Sequence, residues 1–340
     1  MALSEGRAIP DHLRWLHELP VPPFVPHRAL SNGHLQTVAL PFVRPPDAAP
    51  GARIEIPVDG GHLVGRLDTQ PGARGVALVL HGINGTSAES FVLRMARKLQ
   101  RKGFDTLRLN LRGAGESMET ASGIVHSGLT DDLRAAVDFA LSRYEKVAMV
   151  GFSLGGQILL RAVGEWGSSP PPGVRMAVAI SPPIDLVRCS AFAERVSASV
   201  YRWFIVAKLR RRYERLTHKM PAGFTRDRVR GVRTIRHFDE AVIAPLHGFR
   251  DANDYYERSS ASSVLPLAAV PTAIIHAADD PLVPIGPVID AQRVASAYVR
   301  FILTEGGGHV GFLGQTPCEG DDDRFWAECR AADLISASVP

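Results

Sequence analysis

A serine between glycines ends an apolar run in the stretch VAMVGFSLGGQILLRA, residues 147–162. Residues 147–150 have the composition of a short buried strand, and helix-forming residues follow Gly155, so Ser153 falls at the corner between the two elements. Such a sharp turn forces the serine towards positive φ, and Gly151 and Gly155 leave room for the reversal. The pattern predicts a serine hydroxyl held out from a sheet beside a helix N-terminus, where it can act as a nucleophile.

A serine hydroxyl is a poor nucleophile at neutral pH unless a histidine takes its proton and a carboxylate orients the histidine. In a parallel sheet the reacting groups gather at the carboxyl ends of the strands, so both partners are expected after the later strands. The acids Asp279 and Asp280 follow the apolar run TAIIHA, and His309 follows VRFILT on the glycine-rich loop EGGGHVGF. The resulting order of Ser153, Asp280 and His309 is the chain order of the α/β-hydrolase triad.

Two acids compete for the position that orients the histidine. Asp280 is preferred because Pro281 follows it directly and would hold the turn, while Asp279 stays open as the alternative.

His309 is preferred among the 12 histidines because it is the one that follows the last predicted strand. Residues 306–308 are glycines, which give its loop the freedom to bring the ring over the serine.

The oxyanion that develops in acyl transfer requires hydrogen-bond donors near the nucleophile. One predicted donor is the amide of the residue after the serine, Leu154, and the second comes from the turn HGINGT, where we assign it to Ile83. His81 in the same turn is interpreted as a structural residue that shapes the turn. Arg112, in the glycine turn NLRGAGES, is interpreted as an anchor of that turn rather than as a substrate ligand.

Short β-like runs and intervening helical stretches must position these residues. The predicted strands cover residues 53–58, 62–66, 75–80, 105–109, 147–150, 176–180, 272–277 and 299–304. Helical patterns cover residues 90–102 and 129–141, and a further helix follows Ser153. This alternation is typical of a mostly parallel, eight-stranded sheet with helices on both faces, so the predicted fold class is α/β.

The same pattern divides the chain into three parts. Residues 1–52 are rich in proline and have no sustained period, which indicates an N-terminal arm packed on the core. Residues 53–185 and 266–340 contain the predicted strands and form the core. Residues 186–265 interrupt the alternation between the sixth and seventh strands with helices and loops, which predicts an inserted helical lid.

The length and composition of the chain permit one large α/β domain. The chain has 340 residues, is 45% hydrophobic, and contains no apolar run of the ~20 residues needed to span a bilayer. Its N-terminus lacks the apolar core of a secretory signal, so we expect a cytoplasmic location and no transmembrane segment. The sequence contains no metal, nucleotide or dinucleotide motif, so we expect no cofactor and no metal.

The chain has three cysteines, Cys189, Cys318 and Cys329. Their number is odd and none of them forms a Cys-x-x-Cys pair. This pattern argues against a disulfide framework and against a zinc site, so free thiols are expected.

Positive charge is concentrated in the predicted lid. Residues 195–236 contain 13 Lys or Arg and two acids, a local charge of +11 against +4 for the whole chain. Such a segment favours phosphates, anionic lipid surfaces or acidic substrates, and one interpretation is a weak contact with an anionic lipid surface. The alternative is a solvated helical surface without a ligand. Nucleic acid is not expected as a partner, because the basic residues lack a recognised reading motif.

Several motifs together resemble the YheT-like branch of the α/β-hydrolases, within the serine esterase and lipase group. They are GHLQT at 33–37, HGINGT at 81–86, GFSLGG at 151–156, FDEAVIAPLHGF at 238–249, then DYYERSS, DDPLVP and GGGHVGF. The similarity covers residues 25–330. Relatives carry proline where this chain has Gly33, a difference expected to loosen the arm without touching the triad. The resemblance implies carboxylic ester hydrolysis, with lipids and medium-chain acyl esters as substrates of some relatives.

Two groups of residues are candidates for lining an acyl pocket. His34 and His247 would fit such a wall, although packing or capping is the favoured interpretation for both. Trp203, Phe204 and Ile205 in the predicted lid suit an apolar acyl tunnel, and they equally suit an ordinary helix core.

The leading hypothesis is a serine hydrolase that uses the Ser-His-Asp triad to cleave carboxylic esters, of medium-chain acyl or lipid-like type, through an acyl-enzyme. An acyltransferase that passes the acyl group to an alcohol is one alternative, because the sequence does not determine which acceptor reaches the acyl-enzyme. A non-catalytic binding protein with the same fold is the other alternative.

Overall fold

Eight strands form the central sheet of the protein. The computed structural model describes residues 9–39, 43, 50–195, 198–320 and 323–339. The strands are β1 (Ala52–Val58), β2 (Gly61–Asp68), β3 (Val76–Leu80), β4 (Asp105–Leu109), β5 (Val147–Phe152), β6 (Val174–Ile180), β7 (Thr272–Ala277) and β8 (Val299–Thr304). Their spatial order is β1-β2-β4-β3-β5-β6-β7-β8.

The sheet is mostly parallel. β1 pairs antiparallel with β2 and β2 pairs antiparallel with β4, whereas the pairs from β3–β4 to β7–β8 are all parallel. The eight predicted strands are confirmed, and their bounds differ from the observed ones by at most two residues at either end. The predicted α/β-hydrolase architecture is therefore confirmed.

Helices connect the strands and cover the sheet. They are α1 (Arg14–Glu18), α2 (Gly33–Ala39), α3 (Ser90–Arg101), α4 (Ser117–Thr120), α5 (Thr130–Leu141), α6 (Leu154–Trp166), α7 (Leu186–Ala193), α8 (Ser199–Leu216), α9 (Ile235–Phe238), α10 (Ala244–Leu246), α11 (Ala252–Ser259), α12 (Ile285–Val294) and α13 (Trp326–Ala337). Five of them, α7 to α11, lie between β6 and β7 in the chain, where an inserted lid was predicted.

Both faces of the sheet are buried. Every position of β3, β4, β5 and β7 is buried, which explains why β3 and β5 are nearly continuous apolar runs in the sequence. Apolar residues of α3 and α13, such as Met95 and Leu334, cover one face. Residues of α5, α6 and α12, such as Leu133, Ile158 and Val288, cover the other. The rigid sheet between them fixes the positions of the strand ends.

The described part of the predicted N-terminal arm is anchored on the core. Leu13 and Leu16 are fully buried, and the indole N–H of Trp326 donates to the Pro22 carbonyl over 3.0 Å. Residues 1–8, 40–42 and 44–49 of the predicted arm lie outside the described residues.

The expectation of three free thiols is wrong for two of the cysteines. Cys318 and Cys329 form a disulfide, while Cys189 is free and buried in α7. The loop after β8 folds back against the start of α13 and brings the Cα atoms of the pair to 6.6 Å, a return that neither the odd count nor the spacing of the cysteines indicates.

Candidate active site

Ser153 occupies the sharp turn between β5 and α6. Its φ is 50° and its ψ is −116°, so the backbone has the positive φ that the sequence pattern predicted. The two flanking glycines are required by close packing, because a Cβ on Gly155 would lie 2.6 Å from the His81 carbonyl oxygen. A Cβ on Gly151 would lie 2.5 Å from the Gly155 backbone. The serine hydroxyl is thus presented at the carboxyl end of a central strand.

Ser153, His309 and Asp280 form one hydrogen-bonded chain. The distance from Ser153 Oγ to His309 Nε2 is 2.9 Å, and that from His309 Nδ1 to Asp280 Oδ2 is 2.8 Å. A carboxylate accepts from Nδ1–H, which leaves Nε2 as the acceptor for the serine hydroxyl. The structure therefore brings together the three residues that the sequence selected from distant segments.

Asp280 is fixed as an ionised partner. Its other oxygen, Oδ1, accepts from the backbone amides of Leu282 and Val283 at 2.8 and 2.9 Å. Burial by itself would raise the pKa of Asp280, but the His309 ring, the hydrogen bond from it and the amides outweigh burial and hold the pKa below its usual value. Asp279, the competing acid, instead accepts from the Gly308 amide over 2.9 Å.

The loop that carries His309 is held by residues of α2. The His309 amide donates to Thr37 Oγ1 over 2.9 Å, and the Gln36 amide group exchanges hydrogen bonds of 3.1 and 2.7 Å with the Leu313 backbone. Gly33 packs against the acid loop, since a Cβ there would lie 1.8 Å from the Asp279 carbonyl oxygen. The nearest contacts of this position are with Asp279, which is not a triad residue, so the expectation that the Gly33 difference leaves the triad untouched stays a prediction. Segment GHLQT positions the loops of both triad partners.

The turn predicted to supply an oxyanion donor lies next to Ser153. His81 is fully buried, and burial lowers its pKa to about 4, so its ring is neutral. Its Nε2 accepts from the Leu111 amide over 3.1 Å, and its Nδ1 donates to the Gly82 carbonyl over 2.7 Å. This agrees with the structural role predicted for His81. Ile83, two residues on, borders the same cavity as Ser153.

Arg112 is an anchor, as the sequence indicated. Its guanidinium donates to both Asp132 oxygens over 3.0 and 2.6 Å and to the carbonyls of Asp59 and Ser122. All of these contacts hold the glycine turn after β4, and none reaches the cavity beside Ser153.

A largely apolar cavity of about 160 Å³ opens beside the serine. Side chains of the predicted lid form much of its wall; they include Leu186, Ala193, Ile205, Leu209, Ile235, Phe238 and Ile243, together with Ile83, Leu154 and His309 from the predicted core. Ile205 thus lines the pocket as one interpretation suggested. Trp203 and Phe204 do not, because they point outward from α8 with 71% and 53% of their surface exposed.

The two histidines considered for the pocket have packing roles. His34 stacks on Tyr201, with its Nδ1 3.0 Å from the tyrosine hydroxyl, and so joins α2 to α8. His247 Nε2 donates to the Ile124 carbonyl over 3.0 Å, and its ring contacts His126. Neither borders the cavity.

The cavity wall also contains polar residues that were not identified from the sequence, and three of them carry an ionisable group of interest. They are His126, Arg212 and Asp239. Burial and the adjacent His247 lower the pKa of His126 to about 3, so this ring is neutral. Burial raises the pKa of Asp239 to about 7, and its carboxyl accepts from Tyr256 Oη over 2.7 Å. Asp239 belongs to the motif FDEAVIAPLHGF, which was its only signal; nothing in the sequence separates Arg212 from its basic neighbours.

Within residues 9–39, 43, 50–195, 198–320 and 323–339, no cluster of His, Cys, Asp or Glu side chains is arranged to hold a metal ion. No helix in the same ranges has both the length and the apolar character needed to cross a bilayer.

Comparisons with known proteins agree with this geometry. The family model described as alpha/beta hydrolase fold matches residues 76–315. YheT of Escherichia coli, named as an esterase, is 32% identical over 92% of this chain and 93% of its own length. The monoacylglycerol lipase of Saccharomyces cerevisiae and mouse phospholipase ABHD3 are 28% and 30% identical over 71% of this chain, which spans 55% and 59% of their lengths.

A solved structure has the same fold. It is that of a Pyrococcus furiosus esterase, with a TM-score of 0.58 at 17% identity, and the similarity covers 88% of this chain and 98% of the esterase. From the family match, the similarity to YheT and the mostly parallel sheet, it follows that this chain belongs to the α/β-hydrolase family, in the YheT-like group.

Proposed function

We propose that this protein is a serine esterase that cleaves carboxylic esters through an acyl-enzyme. Ser153 Oγ attacks the ester carbonyl while His309 Nε2 takes the hydroxyl proton, and Asp280 stabilises the resulting imidazolium. The Leu154 and Ile83 amides hold the oxyanion. His309 returns the proton to the leaving alkoxide, then takes a proton from water as the water attacks the acyl-enzyme. The carboxylic acid leaves and the proton returns to Ser153.

The observation that carries this proposal is the hydrogen-bonded chain itself. Its two links of 2.9 and 2.8 Å are within the range needed for proton transfer from a serine to a histidine held by a carboxylate. The buried carboxylate keeps the histidine in the tautomer that accepts the serine proton. A binding protein that had lost catalysis would have no need of this arrangement.

The cavity supports a medium-chain or lipid-like acyl group as the substrate. Its lid-derived wall is mainly aliphatic, and the relatives include a monoacylglycerol lipase and a phospholipase. We expect kcat/KM for 4-nitrophenyl esters to rise from acetate to octanoate, because each buried methylene contributes about 0.8 kcal/mol, and then to fall for palmitate. Spectrophotometric release of 4-nitrophenol measures this series. A constant or steadily falling series would contradict an apolar acyl pocket.

Acyl transfer to an alcohol is a distinguishable outcome of the same assay. Added ethanol competes with water for the acyl-enzyme, and mass spectrometry of the products separates ethyl ester from free acid. Free acid as the main product at modest ethanol concentration supports the esterase. Ethyl ester as the main product would show that an alcohol, and not water, accepts the acyl group. Such a result would contradict hydrolysis as the reaction.

The exposed face of α8 supports a docking role at an anionic lipid surface. Its first turns carry Val200, Trp203 and Phe204, with 74%, 71% and 53% of their surface exposed. Further along the same face lie the exposed cations Lys208 and Arg215. An apolar end followed by a basic end on one helix face fits insertion between headgroups with electrostatic attraction to anionic lipids. The opposite side of this helix lines the cavity, so docking would place the cavity near the lipid.

Vesicle binding tests this part of the proposal. We expect the double variant Trp203→Asp and Phe204→Asp to lower the partition coefficient on phosphatidylcholine vesicles containing phosphatidylglycerol at least about tenfold in low salt. Leu267→Asp is the matched control, because Leu267 is 59% exposed on the core and lies outside the lid. Sedimentation with the vesicles measures binding. An equal effect of both substitutions, or none, would contradict docking through α8.

A further inference from the structure

Arg212 is a cation in the wall of the cavity that contains Ser153 and His309. It lies on the cavity side of α8, one turn after Leu209 and two turns after Ile205, which line the same space. The exposed stripe of α8 is on a different side of the helix. The side chain is half-buried and borders the substrate space.

The guanidinium of Arg212 is poorly satisfied by the protein. Its Nη2 donates one long hydrogen bond, 3.4 Å, to the Gly85 carbonyl in the HGINGT turn. Arg212 forms no ion pair in the described part of the chain. The charge of Glu89 raises the pKa of Arg212, but Glu89 also interacts with Lys208, which lowers the pKa of that carboxyl. Buried arginines normally have a carboxylate or another anion as partner, because removing a charge from water is costly.

The charge persists in the folded protein. Burial lowers the pKa of Arg212 to about 10, which leaves the guanidinium protonated at neutral pH. The other polar residues of the wall do not neutralise it: His126 is neutral, and Asp239 is bonded to Tyr256 with Arg236, not Arg212, as the cation that acts on it. The cavity wall thus carries a positive charge near the oxyanion turn that forms no ion pair among the described residues.

We propose that Arg212 forms an anion subsite, and that the preferred substrates are acyl esters that also carry a phosphate or a carboxylate. A planar guanidinium binds either group through two parallel hydrogen bonds, and Nε and Nη1 of Arg212 have no protein acceptor among the described residues. An anion bound there completes the coordination of a half-buried charge and positions the ester beside Ser153. This inference rests on the proposed esterase function and adds a substrate class to it.

Matched ester pairs test the subsite and separate the two anions. One pair is monodecanoylglycerol and its 3-phosphate; the other is 4-nitrophenyl octanoate and the mono-4-nitrophenyl ester of octanedioic acid. All are used as monomers below their critical micelle concentrations. We expect the wild type to have a higher kcat/KM for the anionic member of at least one pair, and that pair identifies the anion. Equal or lower values for both anionic esters would overturn the subsite even if neutral esters are cleaved.

Substitution at Arg212 tests whether this residue causes the preference for anionic esters. In Arg212→Gln we expect the ratio of anionic to neutral kcat/KM to fall about tenfold or more, mainly through the KM of the anionic ester. Arg212→Lys keeps the charge without the fork and should retain part of the ratio. Arg233→Gln, an exposed arginine of the same lid, is the matched control and should leave the ratio unchanged. A ratio unaffected in both Arg212 variants would overturn the assignment.

The failure of this inference differs from failure of the proposed function. Loss of all ester hydrolysis by the wild type would contradict the esterase itself. Normal hydrolysis of the neutral esters without an Arg212-dependent ratio would contradict only the anion subsite. Circular dichroism of each variant checks its folding, and the wild-type ratios test the subsite even if Arg212→Gln does not fold.

Discussion

Replacing Ser153 with alanine is expected to lower kcat for ester hydrolysis by about a million-fold, the size of loss that follows removal of the nucleophile in serine hydrolases. The physical reason is that no other hydroxyl lies on His309 Nε2, which is 2.9 Å from Ser153 Oγ and has no second partner in the described residues. The turn tolerates alanine because only the hydroxyl is removed. Initial rates on 4-nitrophenyl octanoate measure the effect.

The matched control for this substitution is Ser169→Ala. Ser169 is an exposed serine just beyond the far end of α6, so its loss should leave both kcat and the unfolding midpoint unchanged. Retention of more than about a thousandth of wild-type turnover by folded Ser153→Ala would exceed the residual catalysis expected from binding and the oxyanion donors alone. Such a result would assign the reaction to another group.

The second large effect is expected at Asp280. Asp280→Asn should lower kcat by about ten-thousand-fold, because an amide at this position favours the wrong histidine tautomer while leaving the geometry nearly intact. The carboxylate is fixed by the amides of Leu282 and Val283 and is 2.8 Å from His309 Nδ1. Its removal therefore acts on the proton position rather than on the loop.

Asp279→Asn is the adjacent control. The Asp279 carboxylate accepts from the Gly308 amide, and an Asn carbonyl oxygen can accept the same hydrogen bond. We expect this variant to lose no more than about tenfold in kcat. Steady-state kinetics on the two single variants compares them directly. The reverse order of effects, with Asp279→Asn inactive and Asp280→Asn active, would show that the acid has been misassigned.

The centre of the sheet was predictable because strands such as β3 and β5 are buried on both faces. Such strands are continuous apolar runs that differ from the periodic helices between them, and their order fixes which loops lie at the carboxyl edge. Ser153 was identifiable because glycines are needed on both sides of its turn, and His309 because it alone follows the last strand. The glycines around Ser153 are a local signal, and the position of His309 depends on strand order. A single sequence contains both kinds of information.

The contacts that the sequence did not indicate are tertiary. Nothing local shows that Gln36 bonds the Leu313 backbone, a contact across 277 positions, or that Gly33 packs on the Asp279 carbonyl. The Cys318–Cys329 bond likewise depends on how the loop after β8 returns to α13.

The orientation of α8 was equally hidden. This helix has apolar and basic residues on several sides, so periodicity does not reveal which residues face the cavity. Trp203 and Phe204 resemble core residues in the sequence and yet are exposed. Among three consecutive arginines, 210–212, the last is the one that lines the cavity. Tertiary packing determines this orientation, including the hydrogen bond from Asn84 to the Ile205 carbonyl.

Covalent labelling of the native protein with a fluorophosphonate probe is the most direct test of the central claim, that His309 and Asp280 make the Ser153 hydroxyl reactive. Peptide mass spectrometry should find the phosphonyl group on Ser153 alone. Labelling should fall sharply in folded His309→Ala and in Asp280→Asn, and substrate should protect the wild type. A native protein that stays unlabelled, or a label on another side chain that persists in Ser153→Ala, would contradict the account.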